Sequence, residues 1–317
     1  MSTNPYLTDE PTELAFGTSG LRGLVADMTD MECYINARGF LEYLQSIGEL
    51  TGKVYIAGDL RASTPAIMLA MEKAITDSAQ TVEHCGFIPT PALAFYAQQK
   101  TSPCIMVTGS HIPDDRNGIK FYKASGEVLK SDEQAIKKYV LQVREDVYEN
   151  VADIFNDDGS FEKPVSVTTS TKDAENTYID RYVSVFSGDL LEGKKVVVYQ
   201  HSAVGRDINT LVLQKLGAEV VNVGRSEKFI PIDTENVTAA DREYFKKIAS
   251  ENPGLFAIVS TDGDGDRPFL IDENGVFHRG DDLGAVVAAS MNADFAAYPI
   301  SSSDGTDQYM NSKKIDF

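Results

Sequence analysis

The sequence predicts an α/β protein of repeated α/β sandwich domains with mixed, largely parallel sheets, the third domain incomplete. Three observations predict it. Apolar, strand-like runs alternate with helix-like segments, the pattern of a layered α/β fold. The order strand, helix, strand, helix, strand, polar loop, hairpin occurs twice, which reads as a duplicated domain and not as a solenoid. Each copy closes with a hairpin, which adds an antiparallel edge to a parallel sheet.

Residues 1–13 are polar, contain Pro5 and Pro11, and read as a loose arm. Phe16-Gly17-Thr18-Ser19-Gly20-Leu21-Arg22-Gly23, with its three glycines, reads as an ordered loop. Thr29 or Asp30 caps a helix over residues 31–50. The first copy has strands at 54–57, 81–85 and 103–107 and helices at 64–79 and 91–99. Thr64-Pro65 supplies a cap and a first helical position. Residues 118–129 read as a hairpin, and Ser131-Asp132-Glu133-Gln134 as a capping box for a helix to about residue 147. A polar linker follows at 150–170.

The second copy has strands at 195–199, 219–223 and 255–259 and helices at 206–216 and 239–250. Gly217 is a C-cap, and Asn274-Gly275 turns a hairpin over 269–277. Gly86-Phe87-Ile88-Pro89 of the first copy has an echo in Lys228-Phe229-Ile230-Pro231 of the second. A third copy begins with a helix at 280–291, a strand at 295–300 and the start of a helix at 303–310. The expected domains are 1–155, 156–278 and 279–317, the last cut short within its sheet.

Of the 317 residues, 42% are apolar and 24% charged, as in a soluble globular protein. A net charge of −19 repels nucleic-acid phosphates and anionic lipid, so neither nucleic acid nor membrane is an expected partner. No apolar run approaches a membrane span, and Met1-Ser2-Thr3-Asn4-Pro5 has no secretory character. Cys33, Cys85 and Cys104 are scattered and read as buried free thiols in a reducing, cytoplasmic location.

Ligands of parallel sheets bind beyond the carboxyl ends of the strands, where both special loops fall. One is Thr261-Asp262-Gly263-Asp264-Gly265-Asp266-Arg267-Pro268. Its three alternating carboxylates call for a hard divalent cation, and the glycines let the backbone turn them towards one ion. A solvated turn is the bland alternative. A calcium loop would use Asp262, Asp264, Asp266 and Glu273, but Arg267 stands where its glycine belongs. A phosphatase-type Asp-x-Asp-Gly loop would make Asp262 the nucleophile, but Asp266 stands at its usual hydroxyl position. A magnesium site for phosphoryl transfer fits, with Arg267 offering a planar fork to a phosphate or sugar.

The other loop is Val107-Thr108-Gly109-Ser110-His111-Ile112-Pro113. Alone it would be a turn or a cap, and it has no G-x-S-x-G frame. Asp115-Arg116-Asn117-Gly118-Ile119-Lys120 follows with basic groups. A phosphorylated serine would supply oxygens to a metal and need cations around it; Arg22, His111 and Lys120 are available.

Phe16 to Gly23, Thr108 to Pro113 with Asn117 to Lys120, and Asp262 to Arg267 occur in that order. Together they resemble the α-D-phosphohexomutase superfamily, the phosphomannomutase/phosphoglucomutase group, from about residue 14 onward. The resemblance implies four domains, the first three related, and an isomerase acting on sugar phosphates. It implies that Ser110 is the phosphoserine and that Asp262, Asp264 and Asp266 bind Mg²⁺ with a phosphoserine oxygen. It places Arg22 near the phosphoserine, gives His111 and Lys120 proton transfer and charge stabilisation, and puts Arg267 close to substrate. A hexose 1,6-bisphosphate is the implied intermediate and activator. Asp59 and Arg61 are expected only to brace the site. Gly109 and Ile112 replace the family's more frequent Ala and Asn. The family's Gly-Glu-x-Ser-Gly and Arg-x-Ser-Gly-Thr loops do not occur, so domain IV is expected to be absent and these residues alone to be poorly active. The phosphatase and the calcium module are the competing functions.

Overall fold

The computed structural model describes residues 14–17, 20–149, 154–300 and 302–317. The arm expected over residues 1–13 lies outside the described residues.

The first unit opens with strands β1 (Ala15–Phe16) and β2 (Gly20–Leu24) and helix α1 (Asp30–Ser46), whose N-cap Thr29 accepts from the Glu32 amide. It continues through β3 (Lys53–Gly58), α2 (Thr64–Asp77), β4 (Thr81–Phe87), α3 (Thr90–Gln99) and β5 (Cys104–Val107). β6 (Arg116–Lys123), β7 (Gly126–Glu127) and α4 (Glu133–Glu149) complete it. The strand order is β1-β2-β6-β5-β3-β4, with β7 on β6. α5 (Asp173–Val183) leads into β8 (Lys195–Tyr199), α6 (Arg206–Lys215), β9 (Glu219–Val223), α7 (Ala239–Glu251) and β10 (Leu255–Thr261). β11 (Pro268–Asp272) and β12 (Phe277–His278) close a second sheet of order β12-β11-β10-β8-β9.

The run β6-β5-β3-β4 is repeated as β11-β10-β8-β9, so the duplication read in the sequence is present in the topology. Both sheets are mixed. The parallel part is confined to β5-β3-β4 and β10-β8-β9, a smaller share than the expected largely parallel sheets. Valines 196, 197 and 198 of β8 are all buried, the continuous apolar run of a strand covered on both faces.

One face of the first sheet packs on α1, α2 and α4 around Phe40, Ile56, Ile105 and Phe121. The other packs on α3 and α5, and this core also takes in Ile208 of α6. The two units therefore share buried apolar surface. The connecting segment is pinned to the first unit: the Thr168 amide donates to Glu72 Oε2 of α2 at 2.8 Å, and the Thr171 amide to the His84 carbonyl of β4 at 2.9 Å.

Several expectations need correction. The stretch around Gly17–Gly23 is not simply a loop, since β1 and β2 pair as antiparallel strands and β2 joins β6. Gly20 permits this, because a Cβ there would lie 2.1 Å from the Ile119 carbonyl oxygen. Thr64 does not cap α2; Ser63 holds that position, and the Thr64 hydroxyl donates to Asp59 instead. α4 starts at Glu133, directly after Asp132 rather than Ser131. Residues 295–300 form no strand, only a bridge from Phe295 to Asp316. α8 (Gly280–Ser290) and α9 (Asp304–Lys313) pack around Ala285, Met310 and Ile315. Among the described residues no helix is long and apolar enough to cross a membrane, and Cys33, Cys85 and Cys104 are buried free thiols.

Candidate active site

β5 and β10 are equivalent strands, and their carboxyl ends deliver the serine loop and the acidic loop to one place. The Ser110 hydroxyl donates to Asp262 Oδ2 at 2.6 Å, across the boundary between the two units. Ser110 has φ +54, a left-handed conformation that costs a non-glycine residue roughly 1–3 kcal/mol. Its surroundings enforce it. The Ser110 amide donates to Thr108 Oγ1 at 2.8 Å, and that hydroxyl donates to Asp59 Oδ2 at 2.8 Å. Arg61, 1% exposed, donates to the carbonyl oxygens of Ser110, Ile112, Pro113 and Arg116. Its own charge is balanced by Asp59 at 3.2 Å. Bracing by Asp59 and Arg61 is thus concrete: four carbonyls of the serine loop converge on one guanidinium.

Asp262 and Asp264 are buried and Asp266 is exposed; one carboxylate oxygen from each lies within 4.8 Å of the others. Burial, then the charges of Asp264 and Asp266, push the Asp262 carboxyl up to about 8. Burial also opposes charge on Asp264, but the Lys120 ammonium and the Thr90 hydroxyl outweigh it and hold this carboxyl below its usual range. Lys120 Nζ bonds Asp264 Oδ2 at 2.7 Å and Asp266 Oδ2 at 2.5 Å. Burial disfavours its charge, yet those two carboxylates raise its pKa, so Lys120 is an ammonium here.

This cluster fits a hard cation. Asp264 Oδ1 is buried without a hydrogen-bond partner, a costly state that a cation would relieve. Three all-oxygen ligands from carboxylates suit Mg²⁺. The flanking elements are the strands β10 and β11, which is not the helix-loop-helix frame of a calcium hand.

Arg267 Nη1 lies 2.9 Å from His111 Nδ1. A guanidinium can only donate, so Nδ1 is the acceptor and the imidazole carries its proton on Nε2. Burial first, then the charges of Arg267 and Arg22, lower the His111 pKa and keep the ring neutral. Nδ1 also lies 3.4 Å from Ser110 Oγ. Arg22 is exposed on β2, in register with Gly118 of β6.

All eight residues singled out in the sequence therefore lie at or beside the meeting of the two loops. Sequence reading missed Thr90, whose hydroxyl donates to Asp264 Oδ2 at 2.6 Å. It missed His201, whose Nε2 lies 2.8 Å from the Thr261 carbonyl oxygen, and Phe229, whose ring stacks on Arg61 at 3.8 Å. Only the repeated Phe-Ile-Pro hinted at Thr90 and Phe229.

A family model described as phosphoglucomutase/phosphomannomutase, alpha/beta/alpha domain I, matches residues 13–146. A phosphomannomutase of Salmonella muenchen is 41% identical over 301 residues, which cover 94% of this chain and 58% of the relative. One of Sinorhizobium fredii is 40% identical, covering 92% of this chain and 59% of the relative. Over nearly its whole length the chain is similar to proteins of the α-D-phosphohexomutase superfamily. Its fold agrees with that of a phosphoglucomutase/phosphomannomutase family protein from Burkholderia thailandensis, at a TM-score of 0.70 and 21% identity. That match covers 94% of this chain and 64% of the solved one. The chain spans somewhat under two thirds of the length of these relatives. Its serine loop and its acidic loop both lie within the stretch shared with the Salmonella and Sinorhizobium proteins, given the 94% and 92% coverage.

Proposed function

We propose that this chain carries the phosphoryl-transfer site of a mutase that interconverts hexose 1-phosphates and hexose 6-phosphates, those of mannose or glucose first. One observation carries the reading: the Ser110 hydroxyl of one repeat is bonded to Asp262 of the other at 2.6 Å, inside a carboxylate cluster built for a cation. Ser110 is the phosphate carrier. Asp262, Asp264, Asp266 and a phosphoserine oxygen would hold Mg²⁺, which supplies positive charge to the oxygens of the transferring group.

The bond from phosphorus to Ser110 Oγ breaks as one to a free sugar hydroxyl forms, giving a hexose 1,6-bisphosphate. The proton of that hydroxyl passes to neutral His111 at Nδ1, which is freed as the Arg267 guanidinium turns from it to the phosphoryl group. Lys120, Arg22 and Arg267 balance the charge of the phosphoryl group. The bisphosphate turns over and returns its other phosphate to Ser110, so it is also the agent that primes a bare serine. Arg61 and Asp59 hold the serine loop and touch no reacting atom. The proposed compartment is the cytoplasm, where free thiols persist. The net charge of −19 argues against nucleic acid as a partner.

The test is to incubate the chain with Mg²⁺ and glucose 1,6-bisphosphate and to locate any phosphate by peptide mass spectrometry. One phosphate on Ser110, and none on the Ser110→Ala chain, is the expected result. Phosphate on Asp262, with none on Ser110, would establish the Asp-x-Asp-Gly phosphatase instead.

A further inference from the structure

The repeated Phe-Ile-Pro segments have no role in the reaction above. Each lies at or after the equivalent strand of the repeated run: Phe87-Ile88-Pro89 at the end of β4, Phe229-Ile230-Pro231 after β9. In each the isoleucine packs into an apolar core. Ile88 is 1% exposed in the core that α3 and α5 share, and Ile230 packs against the core that holds Ile232 and Phe269. The residues around it go elsewhere.

From the first unit, Pro89 and Thr90 reach the acidic loop of the second. The Thr90 hydroxyl donates to Asp264 Oδ2 at 2.6 Å, and its amide to the Asp264 carbonyl at 2.9 Å. Pro89 lies so close that a Cβ on Gly265 would stand 2.9 Å from it. From the second unit, Phe229 reaches the serine loop of the first. Its ring lies 3.8 Å from the Arg61 guanidinium, the group that gathers the serine-loop carbonyls. A Cβ on Gly263 would lie 2.9 Å from the same ring and 2.7 Å from the Ser110 carbonyl oxygen.

We propose that the two segments form a crosswise clamp, in which Thr90 and Phe229 are positioning residues that each hold the other unit's catalytic loop. The clamp sets the distance between Ser110 and the acidic loop. Its catalytic meaning rests on the phosphoryl-transfer reading, but its geometry does not. Thr90 orients one carboxylate of the cluster by a charge-assisted bond. Phe229 covers Arg61 from solvent and fixes the plane of its guanidinium. The copies use different atoms for the same service, a hydroxyl in one and a ring in the other.

Amide hydrogen exchange on the 317-residue chain tests this with Thr90→Val and Phe229→Leu. Thr90→Val, a change in the first unit, should speed exchange about tenfold at Asp262, Gly265 and Arg267 of the second. Phe229→Leu, a change in the second, should speed exchange at Ser110, Ile112 and Arg116 of the first. Thr90→Ser keeps the hydroxyl and should exchange like the unaltered chain. Calorimetry should show Mg²⁺ binding weakened about tenfold by Thr90→Val and restored by Thr90→Ser. Unchanged exchange in the opposite loop overturns the clamp, as does a rise spread evenly over both sheets. Crosswise exchange in a chain whose Ser110 takes no phosphate would uphold the clamp and sink the mutase reading. Phosphate on Ser110 without crosswise exchange would do the reverse.

Discussion

A Cβ on Gly263 would meet both the Ser110 carbonyl and the Phe229 ring, each nearer than a Cβ tolerates. Gly263→Ala should therefore push the two loops apart and slow phosphorylation of Ser110 about a hundredfold, the scale of a misplacement near 1 Å. Single-turnover mass spectrometry would measure it. His201 makes a different residue-scale prediction. It is fully buried, and burial lowers its pKa from 6.5 to about 4, with Nδ1 left unpartnered. A depressed histidine binds its proton more readily in the unfolded chain. Its stabilisation is complete above pH 6.5 and is lost as the pH falls towards 4. Between pH 7 and pH 5 the chain should lose about 2 kcal/mol that a His201→Asn chain keeps. Asparagine suits the positive φ of +26 at this position. Urea titrations at the two pH values give the comparison.

Elements were legible where a strong local pattern coincided with the tertiary role. The valine run of β8 and the Asn-Gly turn between β11 and β12 are examples. The three motif loops were legible because crowded carboxylates, or a serine among cations, are expensive without a ligand to justify them. α5 was missed although Ala174, Tyr178, Ile179 and Tyr182 repeat at helical spacing, because a polar stretch masks its start. Thr90 and Phe229 were illegible for another reason: their partners lie in the opposite unit, and nothing local records that. α5 packs against α3 and α6 and carries Ile179, 4% exposed, into the shared core. Ile179→Ala should cost about 3 kcal/mol in a urea unfolding titration, mostly from the cavity left behind. An effect below about 1 kcal/mol would show that α5 is not part of the core.

At the scale of the molecule, two units each supply half of one site, so cation binding should stabilise the whole chain. Mg²⁺ at a hundred times its dissociation constant should add about 2.7 kcal/mol and raise the melting temperature. Asp264→Asn should abolish that rise, because it removes charge from a buried carboxylate whose Oδ1 has no other partner. A melting temperature indifferent to Mg²⁺ would remove the cluster from consideration as its site. The overall charge of −19 alone would attract cations diffusely, so the Asp264→Asn control carries the inference.

β4 ends the first sheet, and the outer row of an end strand is a template on which another molecule can pair. The segment carrying Thr168 and Thr171 occupies part of that row through the bond from the Thr171 amide to the His84 carbonyl, and Thr168 ties it to Glu72 of α2. It therefore guards the protein against sticking to itself while it joins the two units. Replacing residues 164–171 by a glycine-serine run of equal length leaves the serine loop and the acidic loop untouched. Light scattering at high concentration should nevertheless reveal growing particles where the original chain stays dispersed.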